Sequence, residues 1–145
     1  VFLLIAVLVI ALVVSLLSGP AWGPTAARDL QPGSCLAEAD TVLETYTVVN
    51  CDAAHPQQIV AIIDLGRNTA QYSTPSSLTA FADEICDRFI EYGLFVSDTV
   101  DDSYDLVALA VPSPEAVAAG DAAARCSLVK VDGTPLTNDL FREMP

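Results

Sequence analysis

Basic residues are scarce in this 145-residue chain: Lys and Arg total 6 against 19 Asp and Glu, a net charge of −13. So few cations exclude a general nucleic-acid binder, which must neutralise phosphates. They also argue against adhesion to anionic lipid headgroups. His55 is the only histidine, and the 4 cysteines form no C-x-x-C pair, so a zinc site is disfavoured. The sequence holds no glycine-rich phosphate loop, no G-x-S-x-G and no H-E-x-x-H. His55 has Asp52 near it, but no Ser or Cys stands in a nucleophile motif to make it a general base. The expectation is a non-enzymatic protein without a cofactor, in which the imidazole hydrogen-bonds the loop behind Cys51.

Apolar residues are plentiful instead, at 52%, and the mean hydropathy of +0.47 is high for so acidic a chain. The excess is concentrated in residues 1–17, VFLLIAVLVIALVVSLL, where Ser15 is the single polar residue and no charge occurs. As a helix this run reaches about 26 Å, within a turn of the bilayer core. It reads as one transmembrane helix from Val1 to Leu17, closed by Ser18-Gly19-Pro20, with Trp22 as an interfacial anchor. A cleaved signal peptide is the competing reading, but its apolar stretch is usually shorter. No basic cluster follows the span, since the first cation is Arg28 beside Asp29. The expected topology is therefore N-terminus cytoplasmic, C-terminal part extracytoplasmic, in the cell membrane. One span with no ionisable residue offers no transport path.

All cysteines (Cys35, Cys51, Cys86 and Cys126) lie after the span, as a disulfide framework of an exported domain would require. Three connectivities are possible. The sequential one, Cys35–Cys51 with Cys86–Cys126, ties local elements together and is the expectation. Residues 18–34 contain three Pro and three Gly and read as a linker, leaving 35–145 as the folded domain.

Within that domain, Tyr46–Cys51 and Gln58–Leu65 read as strands, the second apolar enough to be central. Thr74 and Pro75 open a helix whose Leu78, Phe81, Ala82, Ile85, Phe89 and Ile90 form one stripe, with Cys86 at its border and Gly93 as its stop. Strands over Tyr104–Val111 and Cys126–Val131 flank a short helix from Ser113 to Gly120. The order β-β-α-β-α-β predicts an α+β domain with a mixed or antiparallel sheet and one main packed helix. Asp98, Asp101, Asp102 and Asp105 make an acidic loop and a weak calcium candidate, because the alternating EF-hand pattern is missing.

Several short stretches carry a resemblance. Pro32-Gly33-Ser34-Cys35, Val48-Val49-Asn50-Cys51, His55-Pro56 before an apolar strand, and Cys86 in an aromatic-rich helix are four of them. Pro112-Ser113-Pro114-Glu115, Gly120-Asp121 and Arg125-Cys126-Ser127-Leu128 complete the set. Over residues 32–138 the chain resembles the actinobacterial septum-formation family. The resemblance implies a membrane-anchored or secreted extracytoplasmic domain and carries over no catalytic residue.

Two functions are expected from these observations. The first is an accessory or assembly subunit of a larger cell-envelope membrane complex, either the division septum machinery or a respiratory supercomplex. Its partners would be integral membrane subunits and the lipid bilayer, not nucleic acid. The alternative is an extracytoplasmic ligand- or calcium-sensing domain on a membrane anchor.

Overall fold

The computed structural model describes residues 23–66 and 72–142. Six strands form one sheet: β1 (Pro24–Ala26), β2 (Cys35–Leu36), β3 (Thr45–Val49), β4 (Gln57–Asp64), β5 (Tyr104–Leu109) and β6 (Ala123–Lys130). Their spatial order is β1-β3-β2-β4-β6-β5, and every neighbouring pair is antiparallel. Among the described residues two α-helices, α1 (Pro75–Glu91) and α2 (Pro114–Ala118), and a 3-10 turn at Ala27–Asp29 complete a small α+β domain.

β4 is central, as its run of apolar residues suggested, but the reason is more particular. Its register against β6 shifts between Ile59 and Ala61. An extra residue of this kind re-aims the side chains that follow it. Ile59 consequently packs with Leu30, Leu36, Tyr46 and Leu109 in one cluster, while Ala61, Ile63 and Leu65 pack with α1 in another. A strand that feeds two cores cannot show a clean apolar–polar alternation.

α1 is capped reciprocally. The Ser77 N–H donates to Thr74 Oγ1 at 3.2 Å and the Thr74 N–H donates to Ser77 Oγ at 3.3 Å. Pro75 fills the first position, where its missing N–H costs nothing. Leu78, Ala82 and Cys86 are buried on the sheet side, with Phe81, Ile85, Phe89 and Ile90 packed around them. Gly93 at φ +61° ends the helix. Phe95 follows at φ +63°, a conformation unusual for a bulky residue. It is held by edge-on packing with Phe89, centroids 5.4 Å apart, and by the Arg142 N–H donating to its carbonyl at 3.0 Å.

The disulfides are Cys35–Cys51 and Cys86–Cys126, each with Cα atoms 5.4 Å apart. The first joins β2 to the turn after β3. The second fixes α1 to β6, so the main helix is covalently tied to the sheet it covers.

The linker expected over residues 18–34 needs correction from Pro24 onward. Pro24–Ala26 forms the outermost strand, paired to Thr45–Thr47. Proline is tolerated there because an edge strand can spare one N–H. Leu30 is 1% exposed, and the Ala27 and Gly33 amides donate to Glu44 and Ile59 carbonyls at 2.9 and 2.7 Å. The Arg125 guanidinium donates to the carbonyls of Arg28, Leu30 and Ala123. Proline and glycine here shape packed backbone rather than a tether, and the folded domain begins near Pro24 instead of residue 35.

The C-terminal segment after β6 is a strap. Leu136 exchanges backbone hydrogen bonds with His55 at 2.8 and 3.0 Å, and Phe141 pairs with Val96. Gln58 holds the strap from beneath: its Nε2 donates to Asp139 Oδ1 at 2.6 Å and its Oε1 accepts from the Leu140 N–H at 2.8 Å. Among the described residues no helix is long and apolar enough to cross a membrane. The expected span and its anchors Val1, Leu17 and Trp22 lie outside the described residues.

Candidate functional site

His55 is fully buried. Its Nδ1–H donates to the Ala53 carbonyl at 2.8 Å, within the turn that follows Cys51. With the proton on Nδ1, Nε2 is an acceptor, and it has no partner among the described residues. Among the described residues no hydroxyl, thiol or carboxylate is hydrogen-bonded to the ring, whose bond to Ala53 shapes the turn before β4. All four cysteines are spent in the bridges.

The acidic loop does not converge. Asp98 pairs with Arg142 at 2.7 Å. Asp101 accepts from the Ser103 hydroxyl and N–H at 2.5 and 2.9 Å, which hold its carboxyl below the usual aspartate range. Asp102 is exposed, and Asp105 turns toward α1. Among the described residues no group of three or more His, Cys, Asp or Glu is arranged to hold a metal ion. Successive residues of this loop diverge because Asp101 and Asp105 each cap a local backbone amide instead of facing a common centre.

A concave surface lies elsewhere, along the free edge of β5. One lobe, of about 580 Å³, is bounded by the turn after β1, residues 41–45, the end of β5 and α2. A second lobe, of about 370 Å³, lies between α1 and β5. Thr41, Thr79 and Ala108 line both, so the two lobes form one groove. Ala110, at φ +54°, sits in its wall where β5 turns toward α2.

The backbone chemistry of this edge is one-sided. The Val131 N–H donates to the Ser103 carbonyl, which sets the register so that Tyr104, Leu106 and Ala108 aim their N–H and C=O groups away from β6. Every one of those N–H groups is already bound. Tyr104 donates to the Asp101 carbonyl at 3.0 Å, Leu106 to Asp105 Oδ1 at 2.8 Å, and Ala108 to Asp83 Oδ1 at 2.7 Å. The Ala110 N–H donates to the Thr41 carbonyl at 3.4 Å. Along this edge the backbone therefore offers the groove carbonyl oxygens, with the Asp83, Asp87 and Asp105 carboxylates beside them. Burial, and the nearby Asp105 and Asp83 carboxylates, push the Asp87 carboxyl up from its ordinary value.

In the sequence Asp83 and Asp87 stand out only by lying off the apolar stripe of the helix. Their i, i+4 spacing puts them on one side of α1, and that was the available signal. Which strand they would face depends on a β5 position that lies far away in the sequence.

A disulfide-stapled α+β domain with a grooved sheet edge defines the class of protein at the level of architecture. The family model described as septum formation matches residues 14–126, and the chain belongs to that family. No curated protein and no solved structure matches it.

Proposed function

We propose that the protein serves cell division as a non-enzymatic accessory subunit of a membrane complex at the septum, its stapled domain held outside the cytoplasm by the apolar run at residues 1–17. Membership of the septum-formation family, across most of the domain, carries this reading. Three further observations support it. Both bridges suit an oxidising compartment. The apolar run is of membrane-spanning character. The buried polar side chains Gln57, Gln58 and Arg125 are engaged in holding segments of the domain to one another. Contact, rather than chemistry, is what such a domain offers.

A fluorescent fusion of the full chain, produced at its native level in dividing cells, tests the cellular role. The expected result is accumulation at septa, with delayed or misplaced septa on depletion. An even distribution around the envelope together with normal division on depletion would contradict it.

A further inference from the structure

We propose that the groove along the free edge of β5 is a docking site for a Lys- or Arg-bearing extended segment of a protein partner. The inference deepens the reading above, on which it rests for the domain's role as a contact-making module, by naming the surface and the chemistry of what it holds.

Three features select this occupant. The first is the exhaustion of donors. An exposed strand edge ordinarily invites a further strand, because it alternates free N–H and C=O groups. Here the outward amides of Leu106 and Ala108 are already bound by Asp105 and Asp83, so an incoming strand would find acceptors with no donors between them. A neutral backbone therefore pairs poorly, whereas ammonium and guanidinium groups bring donors only.

The second feature is charge. Asp83, Asp87 and Asp105 line one lobe, and Glu44 and Asp121 line the other. Arg28 is the single basic residue lining either lobe among the described residues. Burial is the main cause of the upward push on the Asp87 carboxyl, and the Asp105 and Asp83 carboxylates add to it, a part that a bound cation relieves. The third is shape. The two lobes adjoin at Thr41, Thr79 and Ala108, which leaves room for an extended chain rather than only a compact ion. Ala108, Ala110 and Val111 give the floor an apolar part for the stems of long cationic side chains.

The test uses the full chain in detergent micelles. The probes are a short peptide alternating Lys and Ala, the matching Glu–Ala peptide, and a Ser–Ala peptide, each with a photo-crosslinking group at one end. The Lys peptide should bind and crosslink to residues 41–45, 79–87 or 105–112, and the other two should not. Replacing the three carboxylates together, Asp83→Asn, Asp87→Asn and Asp105→Asn, keeps amide oxygens for the two backbone caps and should weaken binding about tenfold or more. The same number of charges removed elsewhere, by Asp52→Asn, Asp98→Asn and Asp132→Asn, should change it by less than about twofold.

Equal losses in the two triple variants would show attraction to net charge alone and overturn the proposal. So would equal binding of the Ser–Ala peptide, or crosslinks confined to other surfaces of the unaltered chain. Septal accumulation of the fusion with no Lys-peptide binding would overturn this proposal while leaving the accessory role standing. Peptide binding without septal accumulation would do the reverse.

Discussion

Arg125 shows how a single side chain can decide where the domain begins. The residue is 5% exposed, and its guanidinium donates to backbone carbonyls of the 28–30 segment. Burial lowers its pKa, and the nearby Asp29 and Asp121 carboxylates oppose that shift. Arg125→Met keeps the apolar stem and removes the donors. It should cost about 1–3 kcal/mol and loosen Ala27–Leu30, measured as lost hydrogen-exchange protection there. Gly33 is a second such position. Its φ of +91° and the Phe141 ring carbon 3.3 Å from the place a Cβ would take make Gly33→Ala destabilising, by about 1–2 kcal/mol in chemical denaturation. Asp87 works in the opposite sense. Its folded-state pKa lies above the unfolded value, so the folded state favours the protonated form. The stability this contributes is present below the ordinary aspartate value and is lost as pH rises through the raised one. Asp87→Asn should therefore raise the melting temperature at neutral pH, and the gain should shrink on acidification below the aspartate range. A gain that grew on acidification would show that Asp87 is held charged.

Among the elements, those whose signal is local were legible in the chain. Thr74-Pro75, the apolar stripe and Gly93 mark α1 within its own residues, and the caps form as those residue types require. Cys35–Cys51 and Cys86–Cys126 follow from the same local logic, since each closes across neighbouring elements. β1 and β2 were not legible, because three and two residues carry no periodicity. Their pairing depends on β3, and the Pro and Gly around them look the same in packed turns as in a tether. The bridges should differ in worth. Cys86–Cys126 spans 40 residues and Cys35–Cys51 spans 16, which favours the longer loop by about 0.8 kcal/mol on loop entropy. The longer bridge also ties α1 to the sheet. Replacing each pair by Ala and comparing denaturation midpoints should show the larger loss for Cys86–Cys126. Equal losses would mean that α1 is held to the sheet without the bridge.

At the scale of the whole molecule, charge and apolar surface are separated along the chain, with every charged residue following the apolar run. A field from 13 excess negative charges steers approach but is screened beyond about 8–10 Å at physiological salt. Confinement to a membrane would raise the local concentration of any partner in that membrane without a new contact. The candidate groove was the least legible feature, because residues 41–45, 79–87 and 105–112 meet only through the sheet order. The family relationship was legible, because it rests on short stretches around the cysteines that are read directly. On the proposed function, the stapled domain acts by contact within a membrane complex of the dividing cell. Isolation of the full chain from cells in a mild detergent, followed by quantitative identification of what accompanies it, tests that claim most directly. Co-isolation in fixed proportion with integral membrane proteins of the division machinery is the expected result. A lone monomer carrying no other membrane protein would contradict it.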